Sequence, residues 1–582
     1  MSPEEDEVDR RGLLVRIGLA ALIPLVVLIL PAGETAGPAT LLPPLIAIAL
    51  AFATRATILP LFGGVWLGAA MIAFRDGAGI FTPIAGLWDT FDTFIFRNAI
   101  YDPAIPEGET EPVGWKSFNL SVVGFVFALV GMVALTIRGG GMAGVAERFV
   151  VLARSARATR ITAWLMGLAI FFDDYANSLI VGGTMRPLTD RMRVSREKLA
   201  WIVDSTAAPV AGISLLSTWV AYEVSQFAPQ LPLDLFPGGE GAGYAVFIQT
   251  IPYRFYCLLT LFFVGTMCFF ARDYGPMLKA ERRARSTGAV FRPGSKPMSA
   301  DASAAGPKEG IDHRAHIAFV PVTVTLASIV VLFVLDGRAA LGADVQASFS
   351  FAYARDLLGA VENNTLMLFY GASIGLTLAA LLTIGEKLLT PSEALDAALS
   401  GSRAMVLAVT ILILAWAMSE VCGQLGTRDY MTSMAPHIPP LLLPAGLFIL
   451  GCLISFATGS SWSTMGILLP IVVGLAAEVG AGTSLGATGM VIVTIGAVLD
   501  GSIFGDHCSP ISDTTILSST AAGSDHMDHV RTQAPYAVTV CAVALLIGYL
   551  PAAAGAPAWL VLPIGAAALL GVVFFVGRRL HD

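Results

Sequence analysis

Two polar segments interrupt an otherwise apolar chain and concentrate side chains that could bind an ion. They are FFDDYANSLIVGGTMRPL, residues 171–188, and FATGSSWSTMGILLPI, residues 456–471. When the Asn-Ser pair of the first is aligned with the Ser-Ser pair of the second, a glycine and a proline also coincide without a gap. Carboxylate, hydroxyl, amide and backbone carbonyl oxygens are the ligands that hard cations prefer. The two segments therefore predict a cation site built from related elements.

Each segment is followed by a second polar interruption. VDSTAAPVAGISLLST (203–218) comes after the first, and FGDHCSPISDTTILSST (504–520) comes after the second. A polar, interrupted element that occurs twice is the sequence mark of a transporter with two repeats, whose ion site lies where the repeats meet. The candidates for ion or substrate binding are Asp173, Asp174, Asn177, Ser178, Asp204, Ser205, Thr206, Ser460, Ser461, Ser463, Asp506, His507, Ser509 and Asp513.

Intramembrane carboxylates are the strongest of these candidates, because burying one is costly unless it has a partner or a function. At Asn177 and Ser460 the side-chain oxygen could either bind the ion or cap a half-helix, and Asp173 could also be such a cap. We expect a proton and sodium to compete for Asp204 and Asp506. The predicted sodium ligands are Asp174, Asn177, Asp204, Ser461 and Asp506. No cofactor is expected beyond the transported Na⁺ and H⁺.

Other charged residues favour structural interpretations. Glu223 and Glu420 lie near the outer ends of predicted helices, where water could solvate them. Arg186 is typical of a side chain that extends to the cytoplasmic surface. The run 525–529, DHMDH, suggests a metal cluster in isolation. At a helix start, however, such a run is more typical of a capped, solvated turn.

Composition places these segments in a membrane. Of the 582 residues, 55% are hydrophobic and only 13% are charged, whereas soluble domains carry about 25% charged residues. Apolar runs long enough to cross a bilayer as helices recur along the chain. We predict an all-α polytopic membrane protein with re-entrant hairpins, broken helices and about 12 crossings. The predicted crossings lie near 12–30, 41–56, 57–74, 118–137, 199–228, 251–271, 316–335, 363–384, 404–424, 485–522, 533–551 and 558–577.

Lysine and arginine in the connecting segments orient these crossings. With a cytoplasmic N-terminus, the basic segments 272–315 and 578–579 lie inside the cell, whereas 75–117 and 336–362, which are poor in basic residues, lie outside. The Gly-, Ser-, Pro- and Ala-rich middle of 272–315 is typical of disorder. We expect a multi-pass protein of the cell inner membrane with both termini in the cytoplasm.

Segment 161–185, within the predicted hairpin 161–198, is an exception, because basic residues flank it on both sides. A single crossing would place one basic cluster outside, so we predict a re-entrant hairpin that enters from the cytoplasm and turns at 173–177. The weakly basic segment 439–476 predicts a mirror-image hairpin from outside that turns at 458–461. Its legs are also long enough for two full crossings. Opposed elements of this kind predict two inverted repeats.

These observations divide the chain into consecutive parts, with one hairpin and one broken helix in each repeat. The predicted parts are N-terminal spans with an external segment (1–117), a first repeat (118–271), a cytoplasmic linker loop (272–315), linking spans (316–403), a second repeat (404–551), and a final span with a cytoplasmic tail (552–582).

Four sequence blocks in this order resemble a known family. FFDDYANSLIVGGTMRPLTD, VDSTAAPVAG, ATGSSWSTMGILLP and LDGSIFGDHCSPISDTTILSST are similar to the signature blocks of NhaC-type sodium/proton antiporters, in the ion transporter superfamily. The resemblance covers roughly Phe118 to Leu550. It implies an inverted-repeat fold with a scaffold and a moving transport domain, a homodimer, and exchange of sodium for protons. Related members exchange carboxylates such as malate and lactate, or move amino acids, and these substrates remain alternatives.

An intramembrane aspartyl protease is the alternative from another class. That chemistry requires Tyr-Asp on one helix and Gly-x-Gly-Asp on another. Here the order is Asp174-Tyr175, and Ile503 occupies the place of the first glycine before Gly505-Asp506. The sequence contains neither His-Glu-x-x-His nor a Walker glycine loop. We therefore expect a transporter rather than an enzyme, with the lipid bilayer and a second copy as partners and no nucleic acid.

Overall fold

The computed structural model describes residues 37–54, 58–105, 112–296, 306–341, 357, 361 and 363–579. Over this part the chain is helical apart from two short antiparallel ribbons. The ribbons pair β1 (Tyr101–Asp102) with β2 (Gly114–Trp115), and β3 (Arg272–Asp273) with β4 (Arg578–Arg579). The predicted crossing at 12–30 and residues 297–305, in the middle of the predicted linker loop, lie outside the described residues.

The α-helices are numbered in chain order. The first half contains α1 (Leu42–Thr54), α2 (Ile58–Arg75), α3 (Thr82–Asp89), α4 (Ser117–Arg138), α5 (Gly141–Val150), α6 (Ala156–Ala169), α7 (Asp174–Arg191), α8 (Arg196–Ala211), α9 (Thr218–Phe227), α10 (Gly243–Thr250), α11 (Phe255–Phe270) and α12 (Gly275–Thr287). The second half contains α13 (His316–Leu341), α14 (Asn364–Gly385), α15 (Pro391–Ala404), α16 (Val406–Gln424), α17 (Thr427–Met434), α18 (Leu443–Thr458), α19 (Ser461–Gly480), α20 (Gly486–Cys508), α21 (Asp513–Ala522), α22 (His526–Val543), α23 (Leu550–Ala553) and α24 (Ala558–Phe575).

The apolar helices confirm an all-α polytopic membrane protein. Among the described residues, 10 helices are long and apolar enough to cross a membrane, or 11 if the bent pair Gly239–Tyr253 and Phe255–Phe270 forms one span. The predicted crossings after 12–30 each coincide with one of these helices, with a bent or broken pair, or with the shorter apolar helix α1. Hydrophobic run length therefore locates the spans well.

The first predicted hairpin contains a helix break, but the break lies slightly earlier than the predicted turn. Helix α6 ends at Ala169 and α7 begins at Asp174. The new helix begins there because Asp173 caps it, with Oδ1 accepting a hydrogen bond from the Ala176 amide at 2.7 Å. Asn177 consequently lies in the first turn of the returning helix and not in the break.

The second predicted hairpin is interrupted within the predicted turn. Helix α18 ends at Thr458, Gly459 adopts a left-handed φ of 66°, and Ser460 caps α19. A Cβ atom at Gly459 would approach the Ile511 carbonyl oxygen to 2.7 Å, so conformation and close approach both require glycine. Both legs reach the length of a membrane span, which is compatible with the two full crossings left open by the sequence.

A broken helix follows each of these elements and contacts its break. Helix α8 ends at Ala211, and α9 restarts at Thr218 with Ser217 as its cap. The Thr218 amide donates to the Phe172 carbonyl in the first hairpin at 3.0 Å. In the second repeat Ser509, which lies between α20 and α21, donates to the Phe456 carbonyl at 2.8 Å. The four breaks therefore form two paired interruptions.

The beginning of the predicted linker loop forms secondary structure and packs on the bundle. Its described part begins with β3 and α12, and α12 packs beside the start of α8. Glu281 on α12 accepts hydrogen bonds from the Ser195 amide and hydroxyl, both at 2.7 Å, and pairs with Arg160 at 2.9 Å. Fully buried side chains join this part of the loop to the bundle. The division of the chain into six parts stays a prediction.

A buried ion-pair network joins the bent pair to α9 and α20. Arg254, at the bend, contacts Glu223 on α9 at 3.0 Å and Asp500 on α20 at 3.0 Å, and all three side chains are fully buried. Tyr549 donates a further hydrogen bond to Asp500 at 2.6 Å. The solvated position that the sequence favoured for Glu223 is therefore wrong, because a distant arginine pairs with it inside the bundle.

We predict that Arg254→Met lowers the melting temperature of the purified protein strongly, because it leaves two buried carboxylates without their cation. Breaking such a network costs about 3–5 kcal/mol. Arg75→Met is the matched control, since it removes an exposed pair with Asp76 of a kind worth about 0–1 kcal/mol. Adding Glu223→Gln and Asp500→Asn to Arg254→Met should restore part of the stability. Equal melting of Arg254→Met and wild type would contradict the role given to this network.

Candidate ion-binding site

The helix breaks of both repeats meet at a cavity of about 210 Å³, which we call the central cavity. The first turns of α7, α9, α19 and α21 contribute to its wall, together with the first turns of α16. Helix N-termini carry partial positive charge and unpaired amide groups, so side-chain oxygens are favoured there. The polar residues that line the cavity are Asp174, Tyr175, Thr218, Thr458, Ser460, Ser461, Asp506, Asp513 and Thr514.

Asp506 joins the two half-helices of the second repeat. Its Oδ2 accepts a hydrogen bond from Ser461 at 3.0 Å, and its Oδ1 accepts one from Ser512 at 2.6 Å. Ser461 begins α19 and Ser512 caps α21. The carboxylate is only 2% exposed. Because its partners are hydroxyl groups and not cations, Asp506 could exchange a hydroxyl contact for a bound ion.

Two further carboxylates line the same cavity. Asp174 lies in the first turn of α7 and is 3% exposed. Asp513 begins α21 and accepts a hydrogen bond from the hydroxyl group of Tyr175. The described residues that line the cavity include no Lys, Arg or His. The cavity is therefore acidic and suits a cation.

The spacing of these carboxylates limits the kind of cation. Within the described part of the chain, no group of three or more His, Cys, Asp or Glu is placed to hold a metal ion together. The three aspartates therefore face one cavity without converging on one point. A monovalent cation, held by one carboxylate with hydroxyl and carbonyl oxygens, is compatible with this arrangement.

Asn177 lies outside the central cavity and joins elements of the first repeat. Its amide nitrogen lies 2.7 Å from the Gly167 carbonyl oxygen, 2.9 Å from that of Ile170 and 2.8 Å from that of Thr206. These contacts connect the end of α6, the hairpin break and α8. Its buried Oδ1 has no hydrogen-bond partner among the described residues. The nitrogen thus has a positioning role, and only Oδ1 is free to bind an ion.

Asp204 also lies outside the central cavity, in a second polar cluster between the repeats. Its Oδ2 accepts a hydrogen bond from Gln533 at 2.7 Å and its Oδ1 accepts one from Ser518 at 3.3 Å. Ser178 lies 3.2 Å from the Ser518 hydroxyl. We call these four residues the Asp204 cluster. The predicted sodium ligands therefore lie in three places: Asp174, Ser461 and Asp506 at the central cavity, Asp204 in its cluster, and Asn177 between α6 and α8.

His507 lies beside the Asp204 cluster and contacts Ser205, another predicted site residue. The Ser205 hydroxyl is 2.9 Å from His507 Nε2, and the Tyr256 hydroxyl is 2.6 Å from its Nδ1. Both ring nitrogens are thus occupied by protein groups. This arrangement positions the end of α20 just before its break.

The remaining predicted site residues bond to nearby backbone. Asp173 is the cap of α7, as the sequence allowed. Ser463 donates to the Ser460 carbonyl at 3.2 Å, and Thr206 donates to the Ile202 carbonyl at 2.8 Å. Ser509 donates to the Phe456 carbonyl, as described above. These side chains shape the breaks without lining the central cavity.

One functional contact was missed by the sequence analysis. Asp525 does cap α22, accepting from the Asp528 amide at 3.1 Å, but His529 is fully buried instead of solvated. His529 Nε2 lies 2.8 Å from Gln533 Oε1, and Gln533 in turn contacts Asp204. The spacing of His529 and Gln533, one helical turn apart, was the available signal.

Interrupted apolar helices that meet at a buried acidic cavity, with contacts between two repeats around it, define a secondary membrane transporter. Comparison with known proteins agrees. The family model described as "Na+/H+ antiporter family" matches residues 210–552. The chain therefore belongs to the Na+/H+ antiporter family, and it is a transporter and not an enzyme.

The chain is also similar to individual proteins. An uncharacterised protein of Haemophilus influenzae is 31% identical over 514 residues, which is 88% of this chain and 90% of that protein. The Na(+)/H(+) antiporter NhaC of Alkalihalophilus pseudofirmus is 34% identical over 144 residues, or 24% of this chain and 28% of that one. The malate-2H(+)/Na(+)-lactate antiporter of Bacillus subtilis is 39% identical over 93 residues, 16% and 18% of the two chains.

We predict that Asn177→Ala lowers the melting temperature. The substitution removes the amide group that contacts three carbonyl oxygens, and a hydrogen bond contributes about 1 kcal/mol net to the stability of the folded protein. Asn119→Ala is the control, because Asn119 makes a single bond to the Asn98 carbonyl. Thermal unfolding in detergent measures both variants. A wild-type melting temperature for Asn177→Ala, with sodium affinity weakened tenfold, would assign Asn177 to the ion instead of the breaks.

Proposed function

We propose that the protein exchanges sodium for protons across the inner membrane by alternating access. The observation that carries the proposal is the central cavity, where carboxylates from both repeats face a space without a basic side chain among its described lining residues. Broken helices and acidic residues at such a position are typical of secondary transporters. The family membership supports sodium and protons as the transported ions.

Asp506 and Asp174 carry the exchange in this proposal. Sodium would bind Asp506 and the Ser461 hydroxyl, with further oxygens from the break at 458–460. A proton on Asp506 neutralises the carboxylate and removes the charge that attracts sodium. The same group therefore carries either ion but not both. Asp204, which lies outside the central cavity, is a third carboxylate that we assign to the exchange, and Asn177 Oδ1, unpartnered among the described residues, is a further candidate oxygen for sodium.

Alternating access requires that the cavity open to one side at a time. Besides the helix breaks, the central cavity is lined by Met405, Leu407, Ala408 and Ile411. These residues lie at the start of α16, which the charge pattern predicts to be its cytoplasmic end. We infer an inward-facing state in which opposed hairpins form the moving part. We also propose that the protein forms a homodimer and that both termini lie in the cytoplasm.

The relatives leave an organic substrate as the second candidate. The malate-2H(+)/Na(+)-lactate antiporter is 39% identical to this chain over 93 residues, and a cavity of about 210 Å³ exceeds the needs of a bare ion. A dicarboxylate would, however, face three aspartates. The acidity of the described lining therefore favours a cation, and adding malate or lactate to the transport assay tests the alternative.

We predict that apparent sodium affinity falls as pH falls, because protons occupy the carboxylates that sodium needs. One competing proton changes the affinity by up to about tenfold per pH unit. Purified protein in liposomes, with an imposed sodium gradient and an internal pH dye, measures this dependence. Sodium affinity that is independent of pH would contradict shared sites.

We also predict that Asp506→Asn and Asp174→Asn each abolish exchange in this assay while the protein still folds. An amide preserves the shape of the carboxylate but binds no proton and carries no charge. Asp429→Asn is the control, because Asp429 lies on exposed α17, away from the cavity. If both cavity variants exchange sodium at the wild-type rate, the central cavity is not the transport site.

A further inference from the structure

A second cavity lies along the same helices as the central cavity. It has a volume of about 350 Å³ and a mainly polar wall, and we call it the outer cavity. Helix α9 contributes Thr218 and Trp219 to the central cavity but Ser225 and Gln226 to the outer one. Helices α16 and α19 continue from one cavity to the other in the same way. The two cavities are therefore successive spaces along one route.

A stacked aromatic pair separates the two cavities. Tyr222 lies on α9 between the residues that line each cavity, and its ring stacks on Trp462 of α19 with centroids 4.0 Å apart and planes 29° from parallel. The Tyr222 hydroxyl also donates to the Trp462 carbonyl. Because one ring comes from each repeat, a movement between the repeats would part the stack.

The outer cavity contains buried polar atoms without protein partners. Gln226 is 2% exposed, and its Oε1 has no hydrogen-bond partner among the described residues. Trp416 is 5% exposed, and its indole N–H is also unpaired there. Leaving buried polar atoms unpaired destabilises the folded protein. Two such atoms on one cavity indicate that something polar occupies it.

The charges around the outer cavity favour a cation. Glu240 and Glu420 line it. Lys116 is the lysine in its described wall, and its Nζ lies 3.8 Å from Asp102 Oδ2. Amide, hydroxyl and carboxylate oxygens are the ligands of a hard cation. The indole N–H can donate to a water molecule that the cation retains.

We propose that the outer cavity is a second sodium-binding site, in which Gln226 Oε1 and the Glu420 carboxylate hold a partly hydrated Na⁺ outside the Tyr222–Trp462 pair. This inference rests on the proposed function, because it places the site on the same sodium route. It assigns a role to Glu420 other than simple solvation. A cation bound there lies on the outer side of the Tyr222–Trp462 stack while the central cavity is open to the cytoplasmic side.

The test is equilibrium binding of ²²Na⁺ to the purified protein, with choline chloride keeping ionic strength constant. Gln226→Leu and Glu420→Gln should each weaken one class of sodium site at least tenfold and leave the other unchanged. Asp506→Asn should remove the other class. Gln249→Leu and Glu478→Gln are matched controls at exposed positions outside both cavities, and both classes should persist in them.

The outcomes separate this inference from the proposed function. If Asp506→Asn removes all sodium binding and the Gln226 and Glu420 variants bind like wild type, the outer site is overturned and the central site stands. If the wild type binds no sodium, both fail. A Tyr222→Ala variant reconstituted in liposomes adds an independent readout: parting the stack should open the central cavity to both sides and speed the leak of ²²Na⁺ from preloaded liposomes, and an unchanged leak rate would contradict the separation of the two cavities.

Discussion

Backbone groups freed at the helix breaks must find partners inside an apolar bundle, and this constraint shapes the rest of the molecule. A helix that stops within a membrane leaves amide and carbonyl groups that lipid cannot satisfy. Here the restart at each of the four paired breaks carries a capping side chain. The caps are Asp173, Ser217, Ser460 and Ser512. The breaks also pair with each other, so polar groups gather in the interior where two repeats meet.

The proposed ion site lies where these polar groups come together. Asp506 accepts from Ser461 and Ser512, so one carboxylate connects the starts of two half-helices. Tyr175 contacts Asp513 and Ser178 contacts Ser518, so the first repeat reaches the second at the same level. A movement of one repeat would therefore change the oxygen set around a bound ion. In the proposed mechanism, structure and transport are coupled through these few contacts.

Local patterns predicted most of the architecture. Run length located the spans, and Gly, Pro, Ser and Asp located the breaks, because both depend on neighbouring residues alone. Partners far apart in the sequence could not be assigned in this way. The sequence suggested that water solvates Glu223, but Arg254 pairs with it inside the bundle. It also suggested that His529 belongs to a solvated turn, but α22 places it near Asp204. The predicted sodium ligands likewise all carry side-chain oxygens but lie in three places, since helix packing decides which oxygens face one cavity.

The most direct test of the central claim is a count of protons released when sodium binds. Purified protein in weakly buffered detergent solution is titrated with sodium chloride, with choline chloride as the control salt, while a pH dye reports released protons. If sodium and protons share the central carboxylates, sodium should release protons from the wild type, and Asp506→Asn should release fewer. Saturable sodium binding with no proton release at any pH would contradict the account.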